Sequence, residues 1–566
     1  MLNASNDLNE EDMAMLSKPT TVNENRGLSK GLLRGVQWTA IAGSIVLLAA
    51  CASTETSPNS TTSATRTTIS AYPIANTNYF EQAKLEPYLL LNRLTWGANA
   101  SSLQNMNRVG MDTYLRQQLQ AHGTSLPTAV QAQIDQMTIS QKPFEQMMLD
   151  LEAQRKAAAA VKGTDDSLNK AYQQELTRLA REAATRSLLR YTYSSNQLLE
   201  QMDWFWMNHF NISTRKDNLR AMVGDFDERA IRPYALGNFK DLLRATLAHP
   251  AMLRYLDNEH NAVGKINENY ARELLELHTM GVGSGYTQTD VQELARVLTG
   301  IGMRWRLEKR RGAEAGGTVG QHQLAVMDAK RHDFGDKQIL GVTIKGSGPA
   351  EIEQVLELLM RQPATARFVS KKIALYFVSD TPSDALVENM AQRFLQTHGD
   401  IPSILKTMFD SPEFMASLGK KFKDPMHYVV SSMRMAYDDK VIVNTGPMLN
   451  WLNTLGQTPN GHLTPDGYPL TEVAWSSPAQ MTSRFDVAKL MARGAPNLFK
   501  PESDDGKNET LNQQARELAK PSLAQSEFVK QWSQQFASNS REALTQAGSA
   551  QEWNAFFLAA PEMMRR

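Results

Sequence analysis

Two segments of this sequence bring together residue types that could bind a ligand or transfer a proton. In the first, MDWFWMNHFNIST at residues 202–214, Asn208 and His209 lie within a block of aromatic side chains. A polar pair buried among aromatic rings has to be hydrogen-bonded. His209 is therefore either a ligand or acid–base group, or a structural residue that ties a helix end to the backbone. The residue pattern favours the structural role.

The second segment, NENYARELLELHTMGVGSGYTQTD at residues 267–290, places charged side chains along one face of a predicted helix. At about 100° per residue, an arc of about 140° carries Glu268, Asn269, Arg272, Glu273 and Glu276. This face is either solvated and crossed by Glu–Arg pairs at i, i+4, or it lines a cleft with His278 at its edge. His278 falls on the apolar side, which favours a hydrogen-bonded core histidine over a metal ligand.

If both segments face one cleft, they would form the polar or metal site of a hydrolase. The candidates for such a site are Asn208, His209, Glu268, Glu273, His278 and Asp290. The weak metal candidates are His209, Glu273, His332 and Asp333. A His-Asp dipeptide alone is a poor metal motif, because further ligands are needed nearby. No HExxH, GxSxG or P-loop pattern occurs, and the sequence identifies no cofactor.

The charge balance argues against nucleic acid as a partner. Lys plus Arg and Asp plus Glu number 60 each, so the formal net charge is zero. Binding to phosphate backbones needs an excess of positive charge, and we expect no nucleic acid partner. The basic run at 309–311 is flanked by Glu308 and Glu314 and predicts a solvated loop.

The N-terminal segment predicts export and lipid attachment. Arg26, Lys30 and Arg34 precede an uncharged stretch at 35–50, which is the order of a secretory signal. The stretch has 16 residues, whereas a transmembrane helix needs about 20. It ends in LAAC, which resembles the bacterial lipobox, and Cys51 is the single cysteine of the chain. We therefore expect residues 1–50 to be a leader and signal peptide, and mature Cys51 to carry acyl chains.

Cys51 would then anchor the protein in a membrane. The residue after Cys51 is Ala52 and not Asp, which is similar to signals that direct lipoproteins to the outer membrane of Gram-negative bacteria. Residues 51–78 are rich in Ser and Thr and predict a flexible tether. A helical body is expected at 79–500 and a C-terminal helical extension at 501–566.

The body should be all-α, because helical periodicity dominates from about residue 80 onward. TQTDVQELARVLTG is one example, with Thr289 predicted as N-cap and Gln292 three residues later. Residues 145–195 predict a helical insertion folded as a hairpin. KQILGVTIKG predicts at most one short β-hairpin, with Gly341 at its turn.

A helix–corner–helix unit recurs within this body. GNFKDLLRATLAHPAML and GDIPSILKTMFDSPEFM share their aliphatic positions, and Pro250 matches Pro412. A looser copy surrounds Pro363. In each, proline is expected in the first turn of the second helix, where its missing N–H costs nothing.

Six segments, taken in order, resemble a bacterial family known as domain of unknown function 1800. They are LLNRLTWGA, WMNHF, NFKDLLRATLAHPAMLRYLDN, NENYARELLELHTMGVGSGYTQTDVQELARVLTG, HDFGDKQILG and PATARFVSKKIALYFVSD. The resemblance runs from Leu89 to Leu490, although Gln362 stands where the family often has His, and the helical insertion is long. It implies an exported, largely helical protein without an established activity. It also implies a partner, an exported protein resembling alkaline phosphatases and sulfatases.

Two functions remain open on these grounds. The leading one is a lipid-anchored accessory or binding protein of the bacterial envelope. The alternative is an envelope hydrolase, with its site formed by the His209 segment and residues 267–290. The two differ in whether the carboxylates and imidazoles named above converge in one pocket.

Overall fold

The computed structural model describes residues 79–121, 123, 125–304 and 322–566. The predicted signal peptide, Cys51, the tether and the basic run at 309–311 all lie outside the described residues. The proposed domain boundaries at 50, 78 and 500 therefore stay predictions.

The predicted all-α architecture is confirmed, because helices make up nearly all regular structure in the described residues. The first half of the chain forms α1 (Tyr79–Gln82), α2 (Pro87–Leu94), α3 (Ala100–Val109), α4 (Met111–Leu119), α5 (Thr128–Asp135), α6 (Thr138–Gln141), α7 (Phe144–Ala160), α8 (Ser167–Tyr193), α9 (Gln197–His209), α10 (Val223–Asp225), α11 (Phe239–Leu247), α12 (Pro250–Tyr255), α13 (Asn269–Glu273) and α14 (Gln288–Val297). The second half forms α15 (Ala350–Met360), α16 (Pro363–Phe377), α17 (Asp384–Gln396), α18 (Ile401–Phe409), α19 (Pro412–Ser417), α20 (Pro425–Ala436), α21 (Gly446–Thr454), α22 (Pro478–Arg493), α23 (Glu509–Leu518), α24 (Glu527–Ser533), α25 (Ser538–Thr545) and α26 (Ala550–Ala559).

Two helical segments are wound more loosely than an α-helix. Phe226–Ile231 and Leu274–Thr279 are π-helical, and the second continues directly from α13. Such segments are rare and often occur at functional sites. The segment Leu274–Thr279 carries His278, one of the residues predicted from the sequence.

The described residues contain two small antiparallel sheets, one more than predicted. The expected hairpin pairs β3 (Lys337–Ile339) with β4 (Val342–Ile344). Its turn residues Leu340 and Gly341 both have positive φ, at 50° and 77°, which matches the twist of a tight hairpin. The additional sheet pairs β1 (Ile301–Met303) with β2 (Ala325–Met327). Sequence periodicity cannot reveal strands of three residues that are separated by a long connection.

The three proline corners are present as predicted. Pro250, Pro363 and Pro412 each occupy the first turn of a helix, in α12, α16 and α19. The first and third units also contact each other where they begin. Phe239 N donates to Gly399 O at 2.9 Å, and Ile401 N donates to Gly237 O at 3.0 Å. The two similar units are therefore joined by reciprocal backbone hydrogen bonds.

The predicted helical insertion is the pair α7 and α8, which pack against each other. The apolar faces of the helices bury one large core, with a small satellite cluster around Val130, Ile134 and Leu189. None of the helices in the described residues has both the length and the apolar character needed to cross a membrane.

Candidate functional site

The two segments singled out by residue type meet inside the protein. His209 ends α9, and its Nε2 donates to the carbonyl oxygen of His278 at 3.1 Å. The two imidazole rings lie 6.1 Å apart, and each side chain is 1% exposed. The convergence of Asn208, His209 and His278 thus places part of the predicted site in one region.

A long loop that the sequence did not single out covers this region. Residues 457–475, here called the roof loop, are bound to the end of α9 by two asparagines. Asn208 Nδ2 donates to Tyr468 O at 2.9 Å, and Asn208 Oδ1 accepts from Tyr468 N at 2.7 Å. Asn211 Nδ2 donates to Thr464 O at 2.8 Å. Both polar atoms of the Asn208 side chain are therefore hydrogen-bonded to the roof loop, and this positions the loop.

One wall is formed by α13 and the π-helical segment, where Glu276 forms an ion pair with Arg272 at 3.4 Å. Glu276 accepts a hydrogen bond from the Tyr286 hydroxyl at 2.7 Å. Glu273 is half-buried, and its pKa is raised by burial and by the nearby charges of Glu276 and Asp466. This face is therefore partly enclosed, and Glu273 is a carboxyl group that retains its proton more readily than usual.

A second wall comes from α16, which packs against the π-helical segment and carries a lysine with no ion-pair partner among the described residues. Lys372 is partly exposed, and its Nζ lies 5.6 Å from the centre of the Phe368 ring. Among the described residues its ammonium has neither a hydrogen-bond acceptor nor a carboxylate within bonding distance. Burial lowers the pKa of Lys372 to about 8, although the charge of Asp466 acts in the opposite direction.

The loop after the π-helical segment approaches this wall closely. Gly281 has a φ of 89°, and a Cβ atom at this position would lie 2.8 Å from Cδ2 of Phe368. Both the left-handed backbone and the lack of space require glycine there. Gly281 thus follows the π-helical segment and brings the loop against Phe368.

The two buried histidines each keep one ring nitrogen without a partner. Nε2 of His209 must carry a hydrogen, because its partner is a carbonyl oxygen. Nδ1 of His209 is then a lone-pair acceptor, and it is unpartnered among the described residues, as is Nε2 of His278. Burial and the charge of Lys372 lower the pKa of both, to about 3 for His278. Both imidazoles are therefore neutral at physiological pH.

The other predicted residues of the 267–290 segment have structural roles. Glu268 bonds Arg272 at 3.1 Å and Gln288 at 2.7 Å on the protein surface. Asp290 completes a capping box with Thr287, whose backbone N–H it accepts at 2.7 Å. The prediction of Thr289 as N-cap was wrong, because Thr287 offers the same side chain with an acidic residue three positions later.

His332 and Asp333 lie in a separate polar cluster. Nδ1 of His332 faces Thr299 O at 2.8 Å, and Nε2 faces Glu351 Oε1 at 3.1 Å. Both ring nitrogens of His332 therefore already have hydrogen-bonding partners within the protein. Asp333 makes two hydrogen bonds to Arg296, at 2.7 and 3.2 Å. In the part of the chain that the structure describes, no hydrogen bond, ion pair or ring contact joins this cluster to His209.

A different trio among the described residues has the side-chain types of a metal site. Oδ2 of Asp225 lies 3.1 Å from Nε2 of His249 and 3.3 Å from Nε2 of His322. However, Nδ1 of His249 accepts the N–H of Ala251 at 3.0 Å and caps α12. Nε2 of His249 must therefore carry the hydrogen, whereas a metal-bound histidine donates from its other nitrogen. We interpret the trio as one carboxylate accepting from two imidazoles.

Sequence reasoning missed Lys372 and Asp466 for different reasons. Lys372 lies in an ordinary amphipathic helix, where an isolated lysine predicts a solvated side chain. Asp466 lies in the roof loop, which has no periodic pattern. The available signal was the pair Asn208 and Asn211 at the end of α9, because buried side-chain amides must form hydrogen bonds, here to the backbone of another segment.

The sequence model of a family described as "Protein of unknown function (DUF1800)" matches residues 89–565. The match extends past Leu490, into the C-terminal helices. No curated protein and no solved structure shows significant similarity to the chain.

Proposed function

The chain belongs to the DUF1800 family of proteins of unknown function, and from this premise we propose that it is a lipid-anchored envelope protein that binds a partner beneath and beside its roof loop. The binding region is the roofed site, formed by His209, the 267–285 segment, Lys372 and the roof loop. Anchoring would come from Cys51, and the tether would let the body reach a partner at the membrane surface.

The binding proposal is supported by two buried ring nitrogens that have no hydrogen-bond partner among the described residues, Nδ1 of His209 and Nε2 of His278. The partly exposed Lys372 lies near both imidazoles. Leaving a buried polar atom unpaired costs about 1–3 kcal/mol. A bound group that donates to the imidazole nitrogen of His209 and accepts from Lys372 would remove this cost.

Exposed apolar side chains on the two bordering loops support a protein partner. Val282, Leu463 and Val473 are 74%, 60% and 81% exposed. Burying such side chains in an interface contributes about 1.5–3 kcal/mol each. We propose the exported protein resembling alkaline phosphatases and sulfatases as this partner, on the strength of the family resemblance.

A hydrolase is the second candidate, favoured by the half-buried Glu273. Its raised pKa suits a proton donor, and Asp466 supplies a second carboxylate nearby. The metal-dependent form of this candidate has less support, because the trio with metal-ligand types contains none of the residues of the roofed site. Loss of turnover in a Glu273→Gln variant that still binds its partner would favour the hydrolase.

Replacing Cys51 by serine tests the anchor. We expect the Cys51→Ser protein to leave the membrane fraction and to lose the mass of its acyl chains, because serine provides no thiol for lipid attachment. Fractionation and intact-mass measurement of the full-length chain give the answer. A Cys51→Ser protein that remains membrane-bound at the mass of the processed form would exclude lipid anchoring.

Replacing Val282 by aspartate tests the binding surface. In cells treated with an amine-reactive crosslinker, the wild-type chain should form a discrete adduct, and Val282→Asp should reduce it at least about fivefold, since a desolvated charge opposes docking. The matched control is Leu518→Asp on α23, where the side chain is 43% exposed. Equal adduct yields in both variants would argue against the roofed site.

A further inference from the structure

We propose that Glu145 and His322 bind a divalent metal ion of the zinc class, at a position separate from the roofed site. Nδ1 of His322 and Oε1 of Glu145 lie 3.7 Å apart. Glu145 lies in the first turn of α7, and His322 lies in the segment that leads into β2. A metal ion between them would therefore connect the helical insertion to the β1–β2 sheet.

The tautomer of His322 follows from its other ring nitrogen. Nε2 of His322 lies 3.3 Å from Oδ2 of Asp225, the oxygen that also accepts a hydrogen from His249 at 3.1 Å. Nε2 of His322 thus carries the hydrogen, and Nδ1 keeps its lone pair. A carboxylate behind one ring nitrogen and a lone pair on the other is typical of a metal-bound histidine. The trio itself holds no metal ion, because both imidazoles donate to Asp225.

Glu145 and His322 face each other as two acceptors with no donor between them. The side chain of His322 is 4% exposed, and its Nδ1 has no hydrogen-bond partner among the described residues. The side chain of Glu145 is 17% exposed, and in the described part of the chain no lysine or arginine lies within ion-pair distance of it. Leaving such groups unpaired costs free energy, and a bound cation would remove this cost.

The separation of the two atoms favours a metal ion over a shared proton. At 3.7 Å, Nδ1 of His322 and Oε1 of Glu145 are too far apart for a hydrogen bond. Zinc bonds of about 2.0–2.2 Å to nitrogen and carboxylate oxygen place two tetrahedral ligands about 3.4 Å apart, close to the observed separation. A ligand pair of imidazole and carboxylate suits zinc and similar ions better than calcium or magnesium, which prefer oxygen ligands.

Water would supply the remaining ligands. A cavity of about 140 Å³ is lined by His249, His322 and Arg229, among others, and brings solvent to this cluster. The positive charge of Arg229 is compensated by Asp225, whose Oδ1 lies 3.1 Å from its Nε. Because the protein supplies two ligands, we expect weaker binding than at a structural zinc site with four.

Cobalt binding to the full-length chain in detergent tests the proposal. After metals are removed with a chelator, we expect one equivalent of Co²⁺ to bind, as followed by its visible absorption, and Zn²⁺ to displace it. Glu145→Gln should weaken binding at least about tenfold, and His322→Asn should abolish it. Asp225 positions His322 without touching the metal ion, so Asp225→Asn should weaken binding by about 10–100-fold.

His462→Gln is the matched control, because His462 and Asp466 form a similar pair, 3.3 Å apart, in the roof loop, where Asp466 is exposed. Adventitious binding would involve a surface pair of this kind, and we expect this variant to bind Co²⁺ as the wild type does. Circular dichroism identifies the variants that fold, and Glu145→Gln, at a partly exposed position, carries the test if His322→Asn does not fold. Failure of the wild type to bind cobalt, or equal affinities of the wild type and Glu145→Gln, would overturn the proposal.

Discussion

Acidification from about pH 7 to about pH 5 should destabilise the protein by several kcal/mol. Five buried histidines cause this effect, because each must take up a proton when the chain unfolds. Burial lowers the pKa of His209 well below its usual value. Burial lowers the pKa to about 3 for His249 and His278, and to about 4 for His322 and His427. In the unfolded chain the pKa of a histidine is about 6.5. Between this pH and the lower pKa of the folded state, the unfolded chain therefore binds more protons than the folded protein.

The sign and size of the effect follow from this difference. Each imidazole contributes stability that is fully present above about pH 6.5 and is lost as the pH falls towards its folded pKa. At pH 5 the loss is about 2 kcal/mol per histidine, or about 10 kcal/mol for all five. Asp225 has the opposite effect on stability, because burial raises its pKa. Its protonation at low pH removes the free-energy cost of keeping a buried charge and so stabilises the folded state. A net loss of several kcal/mol is a large share of the 5–15 kcal/mol, roughly, that stabilises a folded domain.

Urea unfolding followed by tryptophan fluorescence measures this directly. The midpoint should fall steadily below about pH 6.5, and His322→Gln should flatten the fall, because one proton-uptake site is lost. A midpoint that stays constant down to pH 5 would show that the histidines are accessible to protons in the folded state.

Arg232→Met should cost about 3–5 kcal/mol of folding free energy. Arg232 is 6% exposed and makes two hydrogen bonds to Glu200, which is 0% exposed, one of them at 2.6 Å. A second carboxylate oxygen, Oδ2 of Asp203, lies 3.8 Å from Nη1 of Arg232. Removing the guanidinium leaves buried carboxylates without their counter-charge, which is far more costly than losing a solvated pair.

Arg244→Met is the matched control. Arg244 also pairs with two carboxylates, Asp241 and Glu353, but its side chain is 36% exposed. We expect this change to cost less than about 1 kcal/mol. The double variant Glu200→Gln/Arg232→Met should recover part of the loss. Similar losses for Arg232→Met and Arg244→Met would mean that burial does not set the strength of these pairs.

The helical architecture was predictable because it depends on local patterns. The proline corners at Pro250, Pro363 and Pro412 and the hairpin turn at Gly341 follow from backbone constraints of single residues. The N-cap error at Thr289 shows the limit of such reasoning, since Thr287 and Thr289 compete for the same role within one turn.

The candidate site was predictable only in part, because it depends on contacts between distant segments. The meeting of His209 with His278 joins residues that local periodicity treats independently. The roof loop has no periodic signal, and the lowered pKa of Lys372 arises from its burial in the fold. The trio of Asp225, His249 and His322 shows the converse, because suitable residue types come together but their hydrogen bonds oppose metal binding.

If the roofed site is where the protein meets its partner, a photo-crosslinking scan will reveal it. A photoreactive amino acid is placed singly at exposed positions of the full-length chain in intact cells. We expect adducts from Val282, Leu463 and Val473, and none from Leu168, Leu490 and Leu518, which are also exposed but to a smaller extent. Adducts confined to the second group, or equal from both, would contradict it.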